Sequence, residues 1–186
     1  MSECHLRLVD RCLAGEQPAM LEFVQRFQDQ IFGLCYRMLS HRQDAEDMTQ
    51  ESLSRALRSL STWDRTRELL PWLMAIAGNR CRSLLSSRHR RMTTTPLADQ
   101  FADRTPPPDD ADNLAEEVQR ALDRVRFDYR QAFLLFHEQQ LSYLEIATTL
   151  DRPLGTVKTW VHRARRELID QLRKREVLEE ISDALR

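Results

Sequence analysis

Residues 157–168 read VKTWVHRARREL, and on a helical wheel their chemistry divides into two sides. At about 100° per residue, Val157, Val161, Ala164 and Leu168 form one narrow apolar stripe. Thr159, His162, Arg163 and Arg166 fall opposite it, at i, i+3, i+4 and i+7. Lys158 and Arg165 sit on one shoulder and Trp160 on the other, where an indole packs more readily than it reads a base. A rigid helix that projects cationic and hydroxyl groups from its N-terminal half suits a DNA major groove. Arg and Lys meet guanine edges or phosphates, and Thr meets either a base or a phosphate oxygen. The wheel alone also allows a basic surface helix with no partner.

Two other stretches carry polar chemistry. In DAEDMTQESLSRALRSL (44–60), Ala45, Thr49, Leu53, Ala56 and Leu60 face inward, and Asp44, Asp47, Gln50, Glu51 and Ser54 face outward. Acids at a helix N-terminus are favoured by the macrodipole, and they would also suit a basic partner. Further on, Trp72, Asn79, Ser83 and Ser86 share a face with Arg82 beside them. Amides, hydroxyls and a cation near an aromatic ring can hold single-stranded nucleic acid, although a lone Trp more often belongs to a core. Arg88-His89-Arg90-Arg91 is either a phosphate-seeking run or a solvated helix end.

These faces need helices to carry them, and the chain supplies the signals. Ser142 and Glu145 have capping-box spacing, and Leu144, Ile146, Ala147 and Leu150 make the apolar side that follows. Asp151-Arg152-Pro153-Leu154-Gly155 ends that helix, and Pro153 suits the first turn of the next. Two helices joined by so short a turn form a helix-turn-helix. Periodicity and caps predict helices near 2–14, 18–40, 44–60, 69–90, 113–125, 128–139, 142–150 and 153–178, with Asp44 capping the third and Pro71 opening the fourth. No stretch alternates with period two over a useful length. The fold expected is therefore all-α, in two small helical domains. The segment TTTPLADQFADRTPPPDDA (93–111), with four prolines and a cluster of acids, has the composition of a flexible linker.

Composition excludes several classes. The 186 residues are 41% hydrophobic and 31% charged, which suits a globular chain. Apolar runs are short, no N-terminal signal-peptide pattern is present, and a cytoplasmic location without membrane insertion is expected. Cys4, Cys12, Cys35 and Cys81 form no C-x-x-C pair and read mainly as small core hydrophobes. No Gly-rich phosphate loop, metal cluster or nucleophile-base pair stands out, so neither an enzyme nor a cofactor is expected. The net charge of −1 conceals polarity: residues 152–175 hold eight basic and two acidic side chains. Such a local basic stripe tells more about partners than the overall balance does.

Three stretches, in order, resemble the extracytoplasmic-function (ECF) group of the sigma-70 family of bacterial RNA polymerase sigma factors. DAEDMTQESLSRAL resembles that family's polymerase-binding helix, PWLMAIAGNRCRSLL its −10 helix, and LSYLEIATTLDRPLGTVKTWVHRAR its −35 helix-turn-helix. The resemblance implies a region 2 bundle over residues 1–92, a linker over 93–112, a region 4 module over 113–178 and a short tail over 179–186. It implies core RNA polymerase (β′ and β subunits), promoter DNA and an anti-sigma factor as partners. Asp44, Asp47, Gln50, Glu51 and Ser54 match the β′-facing surface. The loop Ser61–Leu70, with Trp63, Asp64 and Arg65, matches the one that captures an extruded −10 base, and Trp72, Asn79, Arg82, Ser83 and Ser86 lie near that strand. Lys158, Thr159, His162, Arg163, Arg165 and Arg166 match the −35 surface. Five positions depart from the pattern: Pro71, Met74, Ala75, Asp151, in a turn usually held by Gly, and Trp160, where Arg is usual. Gly78 adds a flexible residue to a helix interior. The rival functions are a helix-turn-helix regulator that works without polymerase, and an adaptor that keeps the fold alone.

Overall fold

The computed structural model describes residues 3–94 and 110–174, with side chains described for 4–90 and 114–174. Among them there is no strand, and eight α-helices run in order: α1 (Glu3–Leu13), α2 (Gln17–Leu39), α3 (Arg42–Ser59), α4 (Leu69–Thr94), α5 (Asp110–Arg124), α6 (Phe127–His137), α7 (Tyr143–Leu150) and α8 (Leu154–Arg173). The expected bounds hold within a few residues, except that α4 runs on to Thr94 and α5 begins at Asp110. The linker expected over 93–112 is thus helical at both margins. Its centre, the tail over 179–186 and the end of the last helix beyond 174 lie outside the described residues.

The first four helices form one bundle around α2. Its 3–4 repeat buries Phe23, Phe27, Ile31, Leu34, Cys35 and Met38 against α1, α3 and α4. Burying one such side chain contributes about 1.5–3 kcal/mol, so this stripe alone fixes which way α2 faces. Ala45, Thr49, Leu53 and Ala56 of α3 and Leu60 of the following 3-10 turn (Leu60–Thr62) are buried as the wheel required. Pro71 lies in the first turn of α4, two residues inside its start, where no backbone donor is needed. Met74 is fully buried, which explains an apolar residue at that position.

Helices α5–α8 form a second bundle. The helix α8 packs on α5, α6 and α7 through Val157, Val161, Ala164 and Leu168, all buried. The capping box is complete: Ser142 N–H donates to Glu145 Oε2 at 2.8 Å, and Glu145 N–H donates to Ser142 Oγ at 3.3 Å. Asp151 sits at φ 50°, ψ 56° in the left-handed region, so the turn imposes on an Asp the conformation that Gly adopts most easily. Leu144, expected on the apolar side of α7, is 66% exposed, because α7 is short and buries only Ile146 and Ala147 fully.

The two bundles touch. The helix α4 packs against α6 and α7, and α2 packs against α5 and α6. No helix among the described residues is long and apolar enough to cross a membrane, and none of their side chains form a His, Cys, Asp and Glu cluster able to hold a metal.

Candidate nucleic-acid and partner interfaces

The outer face of α8 is open. Lys158, Thr159, His162, Arg163, Arg165 and Arg166 are all exposed, while the stripe behind them is sealed. Three of the six are held in place by their own module. Arg163 Nη1 donates to the Tyr129 hydroxyl at 2.9 Å, with its guanidinium 5.8 Å from the ring centre. That hydrogen bond is the main reason the Tyr129 phenol is held below its ordinary value. Arg165 Nη2 lies 3.1 Å from His137 Nε2. Burial first, then Arg165, lowers the His137 pKa, so at neutral pH the ring is uncharged and accepts from the arginine. Thr159 Oγ1 donates to Gly155 O at 2.8 Å, which leaves its lone pairs to accept from a base amino group. Trp160 is half-buried and tilts against Tyr129 at 6.3 Å, so it packs as its shoulder position suggested.

The acidic face of α3 is smaller than the wheel implied. Asp47, Gln50 and Ser54 are exposed, and half-exposed Glu51 pairs with Arg80 of α4. Asp44 is not outward. Its two oxygens take Arg88 Nη1 and Nη2, each at 2.6 Å, and its side chain is 12% exposed. Helix α3 starts at Arg42, with His41 as the cap accepting from Asp44 N–H at 3.2 Å. That start turns Asp44 under the C-terminal half of α4. Asp44 is therefore neither the cap nor outward, and Arg88 clamps α4 to α3.

The surface expected to face the −10 strand differs most from the expectation. Trp63 is 5% exposed, and its Nε1 has no partner, so it offers no ring face for stacking. Asp64 accepts from Thr66 N–H at 3.0 Å and from Thr66 Oγ1 at 2.7 Å; these bonds hold its carboxyl below the usual range and shape the loop. Arg65 pairs with Asp10 of α1 at 2.7 Å. On α4, Asn79, Ser83 and Ser86 are exposed, and Trp72 is half-buried against the core. Arg82 reaches across to α6, where Asp128 Oδ1 lies 2.6 Å from Nη2 and the Phe127 ring centre 4.7 Å from Cζ. The wheel could not show Tyr129, His137 or Asp128 in these roles, because each acts on a residue more than 25 positions away, and no local period encodes such a pair.

The matches to known proteins fit this geometry. Residues 23–91 match the family model for sigma-70 region 2, and residues 115–168 match that for sigma-70 region 4. The ECF RNA polymerase sigma factor SigW of Bacillus subtilis (strain 168) is 33% identical over 175 residues, covering 86% of this chain and 91% of that protein. The chain belongs to the ECF RNA polymerase sigma factors. As a sigma factor, it directs transcription initiation by RNA polymerase. The ECF sigma factor SigE of Mycolicibacterium smegmatis is 34% identical over 168 residues, covering 86% of this chain and 65% of that one. In fold, this sigma factor is similar to the RpoE of Bartonella quintana solved with the anti-sigma factor NepR. That likeness has a TM-score of 0.71 and 23% identity, over 81% of this chain and 94% of the other. The region 2 match ends three residues before the end of α4, and the region 4 match ends within α8 beyond the exposed cationic face.

Proposed function

We propose that this sigma factor divides its work between two helical modules, residues 1–92 and 113–178. Asp47, Gln50, Glu51 and Ser54 on α3 dock the chain on the β′ subunit of core polymerase. Asn79, Ser83, Ser86 and Arg82 on α4 face the non-template strand of the −10 element, and the loop Ser61–Leu70 holds the extruded base. Lys158, Thr159, His162, Arg163, Arg165 and Arg166 on α8 bind the −35 duplex. The protein acts through binding alone, with no reaction of its own, in the compartment that holds polymerase and promoter. An anti-sigma factor is a fitting partner, since the RpoE it resembles was solved with one.

The observation that carries this reading is the exposed cationic face of α8, set behind a capped turn and backed by a fully buried stripe. Transcription from a randomised promoter library with reconstituted holoenzyme tests it. Start-site-specific transcripts that share two upstream elements are expected. A chain that binds duplex DNA but neither co-purifies with core polymerase nor starts transcripts would be a plain helix-turn-helix regulator.

A further inference from the structure

The loop between Leu60 and α4 is organised by its own side chains. Arg67 N–H donates to Asp64 O at 3.0 Å, which closes a turn with Arg65 and Thr66 at its tip. The Asp64 carboxylate is used within that turn: Oδ1 accepts from Thr66 N–H and Thr66 Oγ1, and Oδ2 lies 3.1 Å from Arg67 Nε. Trp63 roots the loop in the core with its indole buried. Trp63 and Asp64 are thus committed to the shape of the loop. Arg65 is different. Its Nη2 lies 2.7 Å from Asp10 Oδ1, and its side chain keeps 52% exposure. A guanidinium carries five N–H donors in a fixed plane, so one ion pair leaves most of them for a ligand.

Asp10 stands on a rigid support. Leu8, Val9 and Cys12 bury the inner side of α1, and Asp10 projects from its exposed side. The helix runs along the loop and also touches the 3-10 turn that precedes it. Arg65, at the tip, meets Asp10. Burial and Arg26 lower the His5 pKa while Glu68 raises it, which places the far end of the loop beside the first turn of α1. His5 and Asp10 are separated by about 7.5 Å of helix rise, so α1 braces the loop at two separate points. The region 2 match begins at residue 23, and α1 with its brace lies outside it.

We propose that Asp10 is a positioning residue for the −10 element: it aims the Arg65 guanidinium at the tip of the loop and so sets how strictly one base is chosen. The proposal rests on the reading that the loop holds the extruded base. An untethered arginine meets a base or a phosphate in many geometries and discriminates little. Tethered on one edge, it presents a fixed pair of donors, which suits a base with two adjacent acceptors, such as guanine at O6 and N7. An exposed ion pair adds little to stability, so the value of this one is geometric.

The test uses the full-length chain reconstituted with core polymerase, on a promoter library randomised over the −10 and −35 elements. Sequencing of barcoded transcripts reads base preference position by position, and thermal unfolding checks that each variant folds. Asp10→Ala should weaken the preference at one −10 position about threefold, the size an exposed ion pair can supply, with the other positions, the −35 preference and core affinity unchanged. Arg65→Ala should relax the same position, and the double variant should add nothing to Arg65→Ala. Asp10→Glu keeps the charge and should restore the preference. Raising salt should relax that position in the native chain toward the Asp10→Ala value, because a surface pair is screened. If Arg65→Ala relaxes a −10 position and Asp10→Ala leaves it intact, the positioning role is wrong and the reading of the loop survives. If Asp10→Ala lowers transcription from all promoters equally, its role is structural and the proposal fails. If Arg65→Ala alters no −10 preference, the proposal also fails, and the assignment of Arg65 to the extruded base fails with it.

Discussion

The helices α8 and α4 carry the two faces proposed here to meet nucleic acid, and they are built in opposite ways. The cationic side of α8 is open to its surroundings, and its own module holds Arg163 and Arg165 outward through Tyr129 and His137. The strand face of α4 keeps its hydroxyls and amide exposed but gives its cation to Asp128 of the other module. Duplex DNA presents fixed edges, and a pre-set arginine loses little entropy in meeting them. A base taken from the stack costs a few kcal/mol before it can be captured, so binding on that side must be coupled to other events. The difference suggests a face ready at once for duplex, and a face that waits for strand separation.

The largest effect should come from breaking the clamp that holds α4 in place. Asp44→Ala leaves Arg88 beside a lost partner and should destabilise the N-terminal module by about 2–3 kcal/mol, discounted for the exposure of Arg88. Chemical denaturation measures it. Loss of less than half a kcal/mol would mean that the pair does not hold α4 to α3. Next is the turn before α8. Asp151→Gly relieves a left-handed residue and should raise stability by up to about 1 kcal/mol without altering promoter choice. A stability decrease in the same assay would show that the Asp side chain itself supports the turn.

A smaller change should follow Tyr129→Phe, which keeps the ring and removes the acceptor for Arg163. Transcription that depends on the −35 element should fall about threefold, with affinity for core polymerase unchanged. An unchanged rate would mean that Arg163 needs no support. Smallest is a pH effect at His137. Its folded pKa lies below the ordinary 6.5, so the unfolded chain takes up the proton first. The stability linked to neutral His137 is present above about 6.5 and is lost as pH falls through that value. His137→Gln should flatten the melting-temperature profile between pH 7 and about 5.5. An unaltered slope would assign the acid sensitivity elsewhere, with His5, also lowered chiefly by burial, as the next candidate.

Elements governed by local rules could be read from the sequence. The capping box at Ser142, the buried stripe of α8, the inward face of α3 and the long repeat of α2 all follow from caps and 3.6-residue periodicity, and the structure holds each of them. Asp44 shows where this stops. A wheel places it outward, but Arg88, 44 positions later, turns it into an internal ion pair. Trp63 is similar, because loop composition carries no sign of how deeply its indole packs. Gly78 reads as a weak point in a helix, and the sequence carries no sign that Gln131 of α6 lies against it. Contacts between modules depend on three-dimensional juxtaposition, which no local pattern encodes.

The division of labour is tested most directly by two single substitutions measured in parallel with reconstituted holoenzyme. Arg163→Ala should lower −35-dependent transcription about tenfold or more while core affinity stays as it was. Asp47→Lys should weaken loading onto core while the isolated chain keeps its affinity for −35 duplex. Equal loss of core affinity and promoter use in both variants would contradict the account, since α3 and α8 would then not serve separate partners.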